Sequence, residues 1–240
     1  MNKICIVIAI VLIFAPLAFG KQFYGSDFEK DTIGKAPQGW ELGFKGAGNG
    51  KVIADPLNKN NKIFAHTDLA DSMARHDVGG NIWVVGNADM TDYIVDYDAY
   101  FPTDFYEGTL FRFIDDKSFY LFDRRQGAPT FEFWKHAAGT WTSLKPAVPF
   151  AGVPEKWFRF RLVIKGDTFD AYAKEIDDDT AFAKMKPLIS AQDATYKTGK
   201  FGLYGLIYVD NVVIGETDSD MTIAVESAGK LTATWGSIKR

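Results

Sequence analysis

Seven side chains able to hold a polar ligand recur at alternate positions in short apolar runs. They are Asp96 and Asp98 in DYIVDYDAYF, Arg112 in FRF, Glu132 and Trp134 in FEFWKHA, and Arg159 and Arg161 in WFRFRLVIK. In an extended strand successive side chains point to opposite faces. If Phe158, Phe160, Leu162 and Ile164 enter a core, Arg159 and Arg161 must leave it. The same rule sets Arg112 opposite Phe111 and Phe113, and Glu132 and Trp134 opposite Phe131 and Phe133. It sets Asp96 and Asp98 opposite Tyr93, Val95, Tyr97 and Ala99. The result is a polar, partly aromatic sheet surface. Flat rings flanked by charged groups that satisfy several hydroxyls at once are suited to sugars. The same charges also suit a solvent-facing ladder of cross-strand ion pairs, each worth ~0.2–1 kcal/mol.

Other chemistries find less support. Glycoside cleavage needs two carboxyls roughly 5–9 Å apart, which Glu132 with Asp98 or Asp96 could supply. His66, His76 and His136 stand in separate segments without the spacing of a zinc site. There is no nucleophile elbow and no glycine-rich phosphate loop.

These side chains need strands to place them. From residue 92 the apolar pattern has a period of two, with Tyr93, Val95, Tyr97, Ala99 and Phe101 in alternation and Pro102 as the stop. GTLFRFIDD, SFYLFDRR, PTFEFWKHA, GTWTSLK, EKWFRFRLVIKG, DTFDAYAKE, GKFGLYGL and IYVDNVVIGE continue it, after GKVIAD, KIFAHTD and NIWVVG upstream. Gly166-Asp167 reads as a hairpin turn. About a dozen short strands closed by Gly, Pro and Asp indicate an all-β fold of two packed antiparallel sheets. Helix is confined to a turn or two in ADSMARHDV and DDDTAFAKMKPL. Residues 22–216 read as one domain. In the tail, 217–240, Leu231, Trp235 and Ile238 follow a helical spacing, which fits either a tucked end or a short docking or sorting signal.

The opening MNKICIVIAIVLIFAPLAFG sets Lys3 before an apolar run and ends in small residues, the pattern of a signal peptide cleaved after Gly20. The run is short for an uncleaved anchor, which needs ~20 apolar residues, and no later stretch is long and apolar enough to span. The expected address is exported, periplasmic or extracellular. Cys5, inside the leader, is the only cysteine, so the remainder has neither disulfides nor a thiol nucleophile. The net charge is −4 and becomes more negative once Lys3 is removed, which argues against nucleic acid as a partner. Aromatic residues make up 15% of the chain, which fits a sandwich core, a sugar-stacking surface, or both.

The order of DFEKDTIGKAPQGW, FRFIDDKSFYLFDRR, FEFWKHAAGTW, EKWFRFRLVIKGDTFDAYA and GKFGLYGLIYVDNVVI resembles the concanavalin A-like jelly rolls of the laminin-G-like type. It also resembles bacterial domains of the 3-keto-disaccharide hydrolase-like kind. The resemblance implies an antiparallel jelly-roll sandwich whose concave sheet, carrying the seven residues, binds carbohydrate. Its alternatives are a glycoside-cleaving enzyme of the hydrolase-like kind and an adhesion or envelope-structural module. DFEKDTIGKAPQGW departs from the usual hydrolase-like opening, and DYIVDYD lacks the closely spaced E-x-D-x-x-E acids of jelly-roll glucanases. The resemblance further implies that the opening segment lies beside the final strand. Asp27 and Glu29 would then approach Asp210 of YVDNVV, either as ligands of a structural Ca²⁺ or as a metal-free clasp.

Overall fold

The computed structural model describes residues 20–46, 48–67, 81–125, 127, 129–150 and 153–223. Residues 1–19 of the leader, the segment ADSMARHDV with His76, and the tail from residue 224 lie outside the described residues. The strands, in chain order, begin with β1 (Gln22–Ser26), β2 (Glu41–Phe44), β3 (Asn49–Ala54), β4 (Lys62–Thr67) and β5 (Ile82–Val85). The middle of the chain forms β6 (Tyr93–Tyr100), β7 (Glu107–Asp115), β8 (Ser118–Arg124), β9 (Thr130–Ala137) and β10 (Thr140–Pro149). The last five are β11 (Trp157–Lys165), β12 (Thr168–Glu175), β13 (Ile189–Gln192), β14 (Lys200–Gly205) and β15 (Ile207–Gly215).

They form the two antiparallel sheets expected. The first runs β13-β12-β11-β6-β15-β4-β3, with β1 also paired to β15; the second runs β10-β9-β8-β7-β14-β5-β2. No α-helix occurs among the described residues, and none is long and apolar enough to cross a membrane. DDDTAFAKMKPL yields a single 3-10 turn, Phe182–Lys184, none of whose residues is buried. So short a segment has no packed face to offset the cost of helix nucleation.

The core follows from alternation. Along β11 Phe158, Phe160, Leu162 and Ile164 are buried while Arg159, Arg161 and Val163 are not. Phe160 stacks on Tyr97 of the neighbouring β6 at 5.4 Å. From the facing sheet it meets Phe131 at 5.4 Å and Phe122 at 6.1 Å. The β11–β12 hairpin closes at Gly166, whose φ of 55° lies in the left-handed region that glycine enters at little cost.

The opening stretch SDFEKDTIGKAPQGW docks beside the last strand, since β1 pairs with β15 from Gln22↔Gly215 to Ser26↔Val212. Phe28 is fully buried, and Trp40, at the end of the stretch, packs on Phe64 at 4.9 Å and donates from Nε1 to the Tyr24 hydroxyl at 2.9 Å.

One acid lies between the sheets. Glu107 is fully buried among Tyr97, Ala99, Phe101, Phe122, Phe131, Phe160 and Ile207. Its Oε1 has no hydrogen-bond partner, and Oε2 is 3.4 Å from Arg124 Nη1. Burial pushes its pKa up to about 9, against the opposing pull of Arg124. The folded protein therefore keeps a proton that the unfolded chain releases above about pH 4.5. The stability this group contributes is complete below that pH and is lost as pH rises through about 9. Glu107→Gln is expected to flatten the decline in unfolding free energy between those limits, which urea titrations across the pH range would reveal. A decline as steep as in the wild type would exclude Glu107 as its source.

Candidate functional site

The seven expected ligand-binding residues occupy three different environments. Asp96, Asp98, Arg159 and Arg161 do share one surface, the outer face of the first sheet, where β6 and β11 set Asp98 opposite Arg159 and Asp96 opposite Arg161. Arg159 grips Asp98 with two bonds of 2.6 and 2.8 Å, and Arg161 grips Asp96 with two of 2.7 Å. Asn211 Nδ2 adds a third donor to Asp98 at 2.8 Å. Arg161 also pairs with Asp218 and lies over the Phe182 ring at 4.9 Å. The hydrogen-bonded Asp98 carboxylate raises the Arg159 pKa, so the guanidinium stays charged throughout the neutral range. Bidentate pairing of this kind satisfies the donors and acceptors that a sugar would otherwise use.

Arg112 is a structural staple in a loop junction. The alternation expected to expose it fails at a bulge: its φ is 48°, and the β7–β8 register shifts between Phe111 and Asp115. Phe111 enters the core between the sheets, whereas Phe113 joins a second apolar cluster. The Arg112 guanidinium, 1% exposed, turns inward and donates to the carbonyls of Tyr196 at 2.8 Å, Thr91 at 3.1 Å and Gly166 at 2.6 Å.

Glu132 and Trp134 sit on the second sheet, across the sandwich from the arginine pairs. Their outer face has an apolar floor of Ile82, Val84, Leu110, Phe113, Phe119 and Leu121, against which Trp134, Trp141, Tyr204 and Phe44 pack half-buried. Trp141 meets Trp134 at 6.5 Å and Tyr204 at 6.1 Å, both edge-on, and the His136 ring at 4.3 Å. At one corner Arg125 Nε pairs with Glu132 Oε1 at 3.1 Å. Its guanidinium lies over Trp134 at 5.3 Å and over Tyr106 at 5.0 Å.

Beside Glu132 stands an acid that sequence reasoning passed over. Asp123 on β8 is the direct cross-strand partner of Glu132 on β9 and is 2% exposed. Burial raises the Asp123 pKa well above the usual carboxylate range, with Arg125 opposing and Glu132 reinforcing. Burial also raises Glu132, and Arg125 opposes. Trp134 Nε1 lies near both carboxyls but off hydrogen-bond geometry, and neither it nor Asp123 Oδ1 makes a hydrogen bond. The signal for this face lay in SFYLFDRR, where Phe119, Tyr120, Leu121 and Phe122 are all apolar and all buried. An unbroken apolar run marks a strand covered on both sides.

The three residues expected to share calcium have separate partners. Asp27 Oδ1 accepts from the Glu29 amide at 3.2 Å, and Glu29 Oε1 accepts from the Lys62 amide at 2.9 Å. The Lys62 ammonium donates to the carbonyls of Glu29 and Asp31, each at 2.8 Å. Asp210 instead meets Asn61, whose Nδ2 lies 3.0 Å from its Oδ2. Among the described residues, no three His, Cys, Asp or Glu side chains converge as a metal-binding group. The oxygens around Glu29 thus hold an ammonium, and this donor set does not fit a resident divalent ion.

No family model matches the chain, and no curated protein matches it in sequence. Solved structures do match in shape. A protein of unknown function from Shewanella oneidensis MR-1 is 13% identical over 84% of this chain and 88% of its own, with a TM-score of 0.52. Domain 4 of a GH43 extracellular arabinanase from Geobacillus stearothermophilus, solved with arabinotriose, is 12% identical over 85% of this chain and 97% of its own, with a TM-score of 0.50. The carbohydrate-binding module CBM66 from Bacillus subtilis is 17% identical over 73% of this chain and 90% of its own, with a TM-score of 0.48. The likeness is one of fold: the chain is an all-β antiparallel jelly-roll sandwich.

A staple and a ligand contact respond differently to mutation. Arg112→Lys leaves a single ammonium where a planar fork met three carbonyls, and is expected to cost roughly 2–5 kcal/mol. Urea denaturation measures this loss. A midpoint within error of the wild type would mean that the three carbonyls are satisfied without the guanidinium.

Proposed function

We propose that this chain is an exported carbohydrate-binding module that takes a glycan on the outer face of its second sheet. The observation that carries the reading is the half-buried ring cluster of Trp134, Trp141 and Tyr204 over an apolar floor, bordered by Arg125 and Glu132. Rings of this kind offer sugar C–H faces a large contact area at small cost in rotamer entropy. Arg125 supplies donors and Glu132 an acceptor, beside the buried Asp123, whose pKa burial raises. The sandwich shared with the arabinanase domain solved with arabinotriose supports the reading at the level of fold.

The test is a glycan array followed by calorimetry on the strongest hit. Trp134→Ala and Trp141→Ala should each weaken binding about tenfold or more, on the order of 1.4 kcal/mol, with near-UV circular dichroism as the check on folding. A broad panel without binding, or variants that bind as tightly as the wild type, would sink the proposal. Export carries its own check: the secreted protein should begin at Lys21 on N-terminal sequencing.

One observation favours a second reading, glycoside cleavage. Asp123 and Glu132 are cross-strand neighbours with raised pKa values, and Cβ atoms so placed are ~4.5–5.5 Å apart. Sugar release that Glu132→Gln eliminates, with binding retained, would replace the binding module by an enzyme.

A further inference from the structure

A guanidinium presents its N–H donors as a planar fork that matches an oxyanion. Arg112, Arg124, Arg159 and Arg161 spend their terminal nitrogens on the protein itself. Arg112 donates to the carbonyls of Tyr196, Thr91 and Gly166, and Arg124 Nη1 meets Asp104 at 2.9 Å and the Phe105 carbonyl at 3.3 Å. Arg159 and Arg161 hold Asp98 and Asp96. In the order just given, these side chains are 1%, 3%, 27% and 13% exposed.

Arg125 is different. In FDRR the strand alternation sends Arg124 inward, where Glu107 Oε2 lies 3.4 Å away, and leaves Arg125 on the side of Asp123 and Glu132. Arg125 pairs with Glu132 through Nε at 3.1 Å, and neither of its terminal nitrogens has a hydrogen-bond acceptor among the described residues. At 34% exposure its side chain is the most open of these arginines, and the terminal donors are left to water. The guanidinium is nonetheless held in place. It lies over Trp134 at 5.3 Å and over Tyr106 at 5.0 Å, and the Arg125 amide donates to the Thr130 carbonyl at 3.0 Å. A fork fixed in this way loses little freedom on meeting a ligand. The neighbouring acids do not oppose an anion as ordinary carboxylates would. Burial raises the pKa of both Asp123 and Glu132, so each takes up a proton more readily when further negative charge approaches.

On the premise that Trp134, Trp141 and Tyr204 form a glycan site, we propose that Arg125 makes the site selective for acidic glycans. Its free edge takes an oxyanion substituent, a uronate carboxylate or a sulfate ester, while the sugar ring packs on the neighbouring aromatic side chains. The whole chain carries a net charge of −4, so bulk attraction does not gather polyanions, and a preference for acidic sugars must arise at the site.

The experiment is calorimetry on the wild-type chain with cellotriose, mannotriose and galactotriose, their uronate forms, the methyl esters of those uronates, and O-sulfated forms. The ester keeps the ring and the carbonyl but removes the charge. At least one uronate or sulfated form should bind about tenfold or more tightly than its neutral parent; where that form is a uronate, its ester should return to the parent level. Preference for the uronate alone identifies the carboxylate as the group recognised, and preference for the sulfated form alone identifies the sulfate ester. Arg125→Gln should abolish the preference, and Arg125→Lys, which keeps a charge without the fork, should retain only part of it. The readout is the ratio of acidic to neutral affinity, because Arg125 also borders the rings. Neutral sugars that bind as tightly as every acidic form overturn the selectivity and leave the glycan reading standing. Absence of binding by any sugar, neutral or acidic, removes the glycan reading and this inference with it. A preference undiminished in Arg125→Gln, with folding checked by near-UV circular dichroism, also overturns it, since the anion is then read elsewhere. If Arg125→Gln does not fold, an undiminished preference in Arg125→Lys has the same force.

Discussion

The ring of Phe160 holds the two sheets to a single arrangement. On its own sheet it stacks against Tyr97, and from the other it meets Phe122 and Phe131, with Phe101 and Phe150 closing the sides at 6.1 and 6.0 Å. The chain beyond Cys5 contains no cysteine, so no disulfide fixes the sheets, and packing must do so. This constraint sets the register of β11 and, through it, the outer face. A slip of one residue would exchange Phe160 for an arginine on the core side, since the side-chain period of a strand is two. Burying an unpaired guanidinium is far more costly than the slip could return. Arg159 and Arg161 point outward because Phe160 must point inward.

The same logic explains what could be read from the chain. Wherever the period of two runs unbroken, as in β6, β9 and β11, the facing of each residue follows from sequence, and Asp96, Asp98, Glu132, Trp134, Arg159 and Arg161 all leave the core on the expected side. The period breaks at Arg112. A bulge inserts one residue, so Phe111 and Phe113 fall on opposite faces of their sheet and the arginine between them turns inward. Nothing in FRF signals this, because the bulge is specified from outside the strand by carbonyls at Thr91, Gly166 and Tyr196. Facing is a local property, but sheet membership is not. Glu132 and Asp98 both point away from the core and still lie on opposite sides of the molecule, because that assignment depends on which strands pair across long loops.

The second sheet adds a subtler lesson. Its outer face was expected to be polar, yet β8 buries Phe119 and Leu121 on that side as thoroughly as Tyr120 and Phe122 on the other. An apolar floor allows large rings to lie down, and Trp134, Trp141 and Tyr204 do so. It also dehydrates the neighbouring carboxyls. Asp123 owes its raised pKa to that burial before any charge effect, so the floor, by excluding water, is what changes the chemistry of the acids at its corner.

The two outer faces therefore differ in what a ligand would have to displace. On the first sheet a hydroxyl must break into a bidentate arginine–carboxylate pair, giving up charge-assisted bonds for neutral ones that are about half as strong. On the second it need only remove water from half-buried rings, a step that burial of apolar surface favours. Where two surfaces of one sandwich carry similar numbers of polar groups, the one whose groups are already satisfied serves stability, and the one with partly exposed rings has free energy left to give to binding. That asymmetry, more than the identity of any one side chain, is the ground for proposing recognition on the sheet that carries Trp134.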